Sequence, residues 1–181
     1  MTDASTELAK KRIMFIKSED FNFIAYNILV VLDVLKCDSS VRPFKDHRKL
    51  SFLVDFASSP VLAPMLERQL RLKSDLSRRD VHTLAVAYAS GASRKHFVAR
   101  IVNSLITKGF VEVRKGEHDL DLDVWIKREK VPETFISSDL YLLERENIKK
   151  VAAISSHIRT LTFPTFLDRF FERHGVTVWH S

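Results

Sequence analysis

The chain has 181 residues, 45% hydrophobic and 29% charged, with 29 Lys and Arg against 23 Asp and Glu for a net charge of +6. That length suits one domain spanning residues 1–181 around a continuous core. A single cysteine, Cys37, excludes an internal disulfide and a thiol-based metal site, which points to a cytoplasmic location. The basic balance suggests an acidic partner, nucleic acid first.

Residues 1–17 read as a flexible N-terminus without the apolar stretch of a secretory signal. Residues 21–36 follow as a helix with apolar side chains on every face, so it is either the central core helix, the preferred reading, or a helix covered by a partner. Asn22, Asn27 and Asp33 interrupt its apolar run, which is shorter than the roughly 20 residues a bilayer requires, so no membrane contact is expected. Residues 37–45 are polar and broken by Arg42-Pro43. Helices are expected over 46–57 and, after Ser58-Ser59-Pro60, over 61–72, the latter with a basic outer face of Arg68, Arg71 and Lys73.

Asp75 or Ser77 caps the next helix, which carries Val81, Leu84, Ala85 and Tyr88 and ends at Gly91. Ser93 opens another, with Phe97, Val98, Ile101, Val102 and Leu105 on one face, and Gly109 lies just past its end. Two alternating strands, 110–114 and 120–127, flank a polar turn. Helix, tight turn, helix and hairpin are the order of a winged helix-turn-helix, here over residues 75–130 between N-terminal helices (18–74) and C-terminal helices (131–181). The fold class is therefore mainly α (α+β). A long helix capped by Ser137 or Ser138 carries Ile148, Val151, Ile154 or Ser155, Ile158 and Leu161 in a stripe suited to a bundle contact. Beyond Pro164 comes a short helix with Phe166, Phe170 and Phe171, then a tail that ends in a candidate strand at residues 176–179.

Charge is unevenly placed. Residues 77–115 hold eight cations against two acids, and residues 116–146 hold four against nine. A recognition helix over 93–108 places Arg94, Lys95 and Arg100 toward DNA, and Arg78 and Arg79 are set to hold phosphates at the preceding helix start. The wing argues against base reading, because Glu117, Asp119, Asp121 and Asp123 repel phosphate. Asp119, Asp121 and Asp123 share one strand face, read by default as solvated. The bland alternative is that the winged helix docks protein and its basic helix is simply exposed.

Catalytic signatures are missing. His47, His82, His96, His118, His157, His174 and His180 form no metal-binding spacing. Four glycines form no phosphate loop, so no nucleotide cofactor is expected. An enzyme is the least favoured class.

The Phe21-Asn22-Phe23 helix start, the string from Lys49 to Phe56 before a Ser-Ser-Pro break, the winged helix and the long C-terminal helix resemble the small middle components of bacterial three-component ABC systems, including the small subunit of Lamassu anti-phage complexes. The resemblance spans about residues 18–161 and rests on element order and short apolar strings. It implies a non-enzymatic adaptor beside an SMC- or Rad50-like ATPase and an effector, often a nuclease. On that reading Arg78, Arg79, Arg94, Lys95 and Arg100 lie near double-stranded DNA without sequence preference. Glu117, Asp119, Asp121 and Asp123 of the wing, and Ile148, Val151 and Ile158 of the C-terminal helix, then face protein. The rival reading is a dimeric winged-helix transcription regulator.

Overall fold

The computed structural model describes residues 20–117, 121–136 and 138–179. The chain is mostly helical with one antiparallel strand pair, in the order α1 (Phe21–Val34), α2 (Leu50–Ser58), α3 (Leu62–Leu72), α4 (Arg78–Ser93), α5 (Lys95–Thr107), β1 (Val111–Lys115), β2 (Leu122–Ile126), α6 (Glu133–Ile136), α7 (Leu142–Ile154) and α8 (Phe163–Phe170). Among the described residues no single helix is long and apolar enough to cross a membrane. The expected N-terminal segment 1–17 lies outside the described residues.

Helix α1 starts where Asp20 accepts a hydrogen bond from the Phe23 amide at 2.9 Å. It is apolar all round because it is central: α2, α5, α7 and β2 all pack against it, and Ile24, Ile28, Val31 and Leu32 are fully buried. Its end is a Schellman turn built on a lysine. Lys36 takes φ 56°, its amide donates to Asp33 O at 3.0 Å, and the Cys37 amide donates to Leu32 O at 2.9 Å.

The polar stretch after α1 does more than connect. Phe44 exchanges backbone hydrogen bonds with Val124 at 2.8 and 3.0 Å, and the Ile126 amide donates to Cys37 O at 2.9 Å. Strand β2 therefore lies between this segment and β1, to which it is paired with Val113 opposite Val124. Both faces of β2 are covered: Asp123 and Trp125 are buried along with Val124 and Ile126. The expected solvated aspartate face is thereby corrected at Asp123.

Glycine 91 does not end α4, which runs to Ser93 and is separated from α5 by Arg94 alone. Its role is close approach: a Cβ there would sit 2.5 Å from Phe52 Cδ1 on α2. Gly109, by contrast, takes φ 76° just beyond α5, as its spacing predicts.

The long C-terminal helix also ends earlier than its stripe suggests. α7 stops at Ile154, and residues 155–161 form turns that still bury Ile158 and Leu161. The buried ammonium of Lys49 fixes them, donating to Ile158 O at 2.9 Å, Arg159 O at 3.3 Å and Leu161 O at 2.7 Å. Phe166, Phe170 and Phe171 are also internal. With Phe52, Phe56 and Tyr88 they form an aromatic core whose ring centroids lie 5.4 Å apart for Tyr88–Phe171 and 5.6 Å for Phe52–Phe171 and Phe56–Phe170. Residues 176–179 form no strand. The Trp179 amide instead donates to Tyr88 Oη at 2.7 Å.

Candidate functional site

The five cations expected to face nucleic acid divide into three groups. Arg94 belongs to the core. Its Nη2 lies 2.5 Å from Asp55 Oδ2 and donates to Ser51 O at 3.1 Å, locking α2 onto the α4–α5 joint. Burial pushes the Asp55 carboxyl above its ordinary range, against the pull of Arg94. A guanidinium held this way is unavailable to a phosphate or a base edge, which corrects the expectation for Arg94. Lys95 is half-buried with its ammonium 5.2 Å from the centre of the Phe163 ring, and burial followed by nearby Arg48 lowers its pKa. Arg78, Arg79 and Arg100 are exposed, the first two on the opening turn of α4 and the third on α5.

The acidic hairpin is similarly inverted. Asp121 and Asp123 are buried. Asp121 Oδ1 receives Arg48 Nη2 at 2.5 Å, while Arg48 also grips Asp46 with Nε at 2.9 Å and Nη2 at 2.6 Å. Asp123 accepts from Arg114 Nε and Nη2 at 3.3 and 3.2 Å and from the Asp46 amide at 3.3 Å. Asp46 adopts φ 58°, a region disfavoured for a residue with a Cβ, and the cluster around it holds that turn. Glu117 is exposed and pairs with Lys45 at 2.8 Å. Asp119 lies outside the described residues. These carboxylates thus clamp the hairpin to residues 45–48, and the expectation that Asp121 and Asp123 form an outward partner surface is corrected. A cavity of about 530 Å³ opens beside them, with Lys45, Arg48 and Phe163 in its wall. Among the described residues no group of three or more His, Cys, Asp or Glu is placed to hold a metal ion.

Ile148, Val151 and Ile158 are buried within this chain. α7 packs on α1, α2 and α3, so the bundle contact read from its stripe is intramolecular.

A different surface presents apolar groups to solvent. One flank of α1, the end of α5, residues 131–135 and residues 138–141 enclose a groove of about 590 Å³. Phe21, Tyr26 and Leu140 line it at 36%, 42% and 49% exposure. The Tyr26 ring lies 5.5 Å from Phe135 and 6.0 Å from Tyr141, which is itself 5.1 Å from Phe135, so three aromatic rings brace one another along the wall. Burial, then the proximity of Tyr26, pushes the Tyr141 hydroxyl up to about 12, so it stays a neutral donor. The sequence carried a partial signal for this groove. Phe21, Ala25 and Leu29 recur every four residues on α1 and border the groove, but a helix apolar on all faces hides which stripe does so.

No protein-family model matches the chain, no curated protein is significantly similar to it, and no solved structure matches its fold.

Proposed function

We propose that the chain is a non-catalytic accessory subunit that docks onto an SMC- or Rad50-like ATPase in a bacterial defence assembly. The observation that carries the reading is the groove beside α1, where Phe21, Tyr26 and Leu140 stand partly in water around one concave wall. Aromatic and aliphatic anchors around a concave apolar wall are the usual centre of a protein interface. The occupant is an apolar segment of the ATPase subunit. The aromatic C-terminal helix gives the proposal no support, because Phe166, Phe170 and Phe171 serve this chain's own core.

On this proposal residues 75–130 are a winged helix, with α4 and α5 as the helix pair and β1–β2 as the wing. Support comes from the element order and from the Phe44 segment, which runs beside β2 as a third extended piece. A sequence-reading regulator is the weaker proposal, since its case leaned on Arg94 and Lys95, and Arg94 is internal.

The test is recovery of the tagged chain from its native cell, with mass spectrometry of the eluate. A stoichiometric coiled-coil ATPase that is lost from a Tyr26→Glu, Leu140→Glu variant supports the proposal. A lone homodimer, or equal recovery with the variant, contradicts it.

A further inference from the structure

Part of this chain's positive charge is matched internally. Lys45, Arg48, Arg94, Arg114 and Arg128 each face a carboxylate of the same chain. The corner between α3 and α4 differs. Residues 67–80 hold five cations, Arg68, Arg71, Lys73, Arg78 and Arg79, against three acids, Glu67, Asp75 and Asp80, a net +2. All five are exposed. Among the described residues only Arg68 of the five has a carboxylate within 4.0 Å, with Nη2 3.8 Å from Asp80 Oδ2.

The local fold concentrates these charges. α3 ends at Lys73, which takes φ 50° and turns the chain back. Ser77 then starts α4 by accepting a hydrogen bond from the Asp80 amide at 3.2 Å. The Arg68–Asp80 contact ties the C-terminal half of α3 to the first turn of α4, so the five cations share one corner. The amides of Arg78 and Arg79 are the first two of a 16-residue helix and have no intrahelical acceptor, which adds the positive helix end to the same place.

We propose that this α3–α4 corner binds the phosphodiester backbone of duplex nucleic acid without reading its sequence. Phosphate contact needs a cluster of accessible cations and amide donors, and that is what the corner offers. The exposed Leu70 and Leu72, interleaved with the cations, are the feature an anionic membrane would use instead, so vesicles form a second arm of the test. The inference is independent of the ATPase reading: duplex binding can be measured on the isolated full chain.

The experiment is fluorescence anisotropy of the full chain with a labelled duplex of random sequence over a salt series. With all five cations engaged, log affinity against log salt falls with a slope of about −4.5, or roughly 500-fold between about 50 and 200 mM. The Arg78→Glu, Arg79→Glu variant should weaken binding and flatten the slope to about −2.7. The Lys130→Glu, Lys149→Glu variant makes the same change in net charge elsewhere on the exposed surface and should keep the steep slope. Circular dichroism confirms that each variant is folded. The proposal is overturned by a wild-type chain that does not bind, by equal losses in both double variants, or by tighter binding to phosphatidylserine vesicles than to duplex at the same salt.

Discussion

Replacing Lys49 with methionine keeps the length of the side chain and its packing on Phe44, whose ring centre lies 4.6 Å from the ammonium, but removes every donor. Lys49 is 0% exposed. Of its three acceptors, Arg159 O keeps a second bond from the Lys45 amide at 2.9 Å, whereas Ile158 O and Leu161 O lose the donor that Lys49 supplied. Each stranded buried carbonyl costs about 1–3 kcal/mol, and relief from burying a charge offsets part of that. A net loss of about 3 kcal/mol lowers the melting temperature of a domain this size by about 6–12 °C. The dependence on pH has a defined sign. Burial lowers the Lys49 pKa to about 7 from 10.5, against the pull of Asp46. Between those values the unfolded chain binds more protons than the folded one, so this group's contribution to stability rises with pH across the window and is lost below it. Most of that rise falls between about pH 7 and about pH 9 and beyond, where the folded amine is neutral and the unfolded one still charged. Thermal unfolding followed by circular dichroism should therefore show the gap between wild type and Lys49→Met widening from about pH 6 to about pH 9. A melting shift below about 2 °C, or a gap that narrows with pH, would refute the reasoning.

Two further perturbations test the structural assignments. Arg94→Ala leaves the Asp55 carboxyl buried without its cation and should cost about 3–5 kcal/mol of stability. A variant that melts normally yet loses duplex binding would return Arg94 to the nucleic-acid surface. The Cys37 thiol is fully buried, and burial pushes its pKa up to about 12, so it should resist a thiol-specific maleimide in the folded protein and react readily in denaturant. Rapid labelling of the native chain would contradict that placement.

The sequence located most helices because apolar periodicity and caps are local signals. Ser77, Gly109 and the Phe97–Leu105 stripe mark α4 and α5 without reference to anything distant. What stayed illegible depends on partners far along the chain. Gly91 reads as a terminator, yet its absent side chain admits Phe52, some forty residues earlier. Asp121 and Asp123 alternate like a solvated strand face and become internal only because Arg48 and Arg114 meet them. The Ile148–Leu161 stripe persists after the helix stops, because turns pinned by Lys49 bury Ile158 and Leu161 as effectively as another helical turn would. Arg94 looked like a base-reading residue on charge and position alone, and its partner Asp55 lies on a helix whose packing the local pattern does not reveal.

The most direct test of the proposed docking groove lined by Phe21, Tyr26 and Leu140 is the affinity of the purified chain for a coiled-coil ATPase, should recovery from the native cell yield one, with and without Leu140→Glu. The account predicts at least a tenfold loss of affinity, about 1.4 kcal/mol, with an unchanged melting temperature. Undiminished binding by a folded Leu140→Glu chain would move the interface elsewhere and contradict the account.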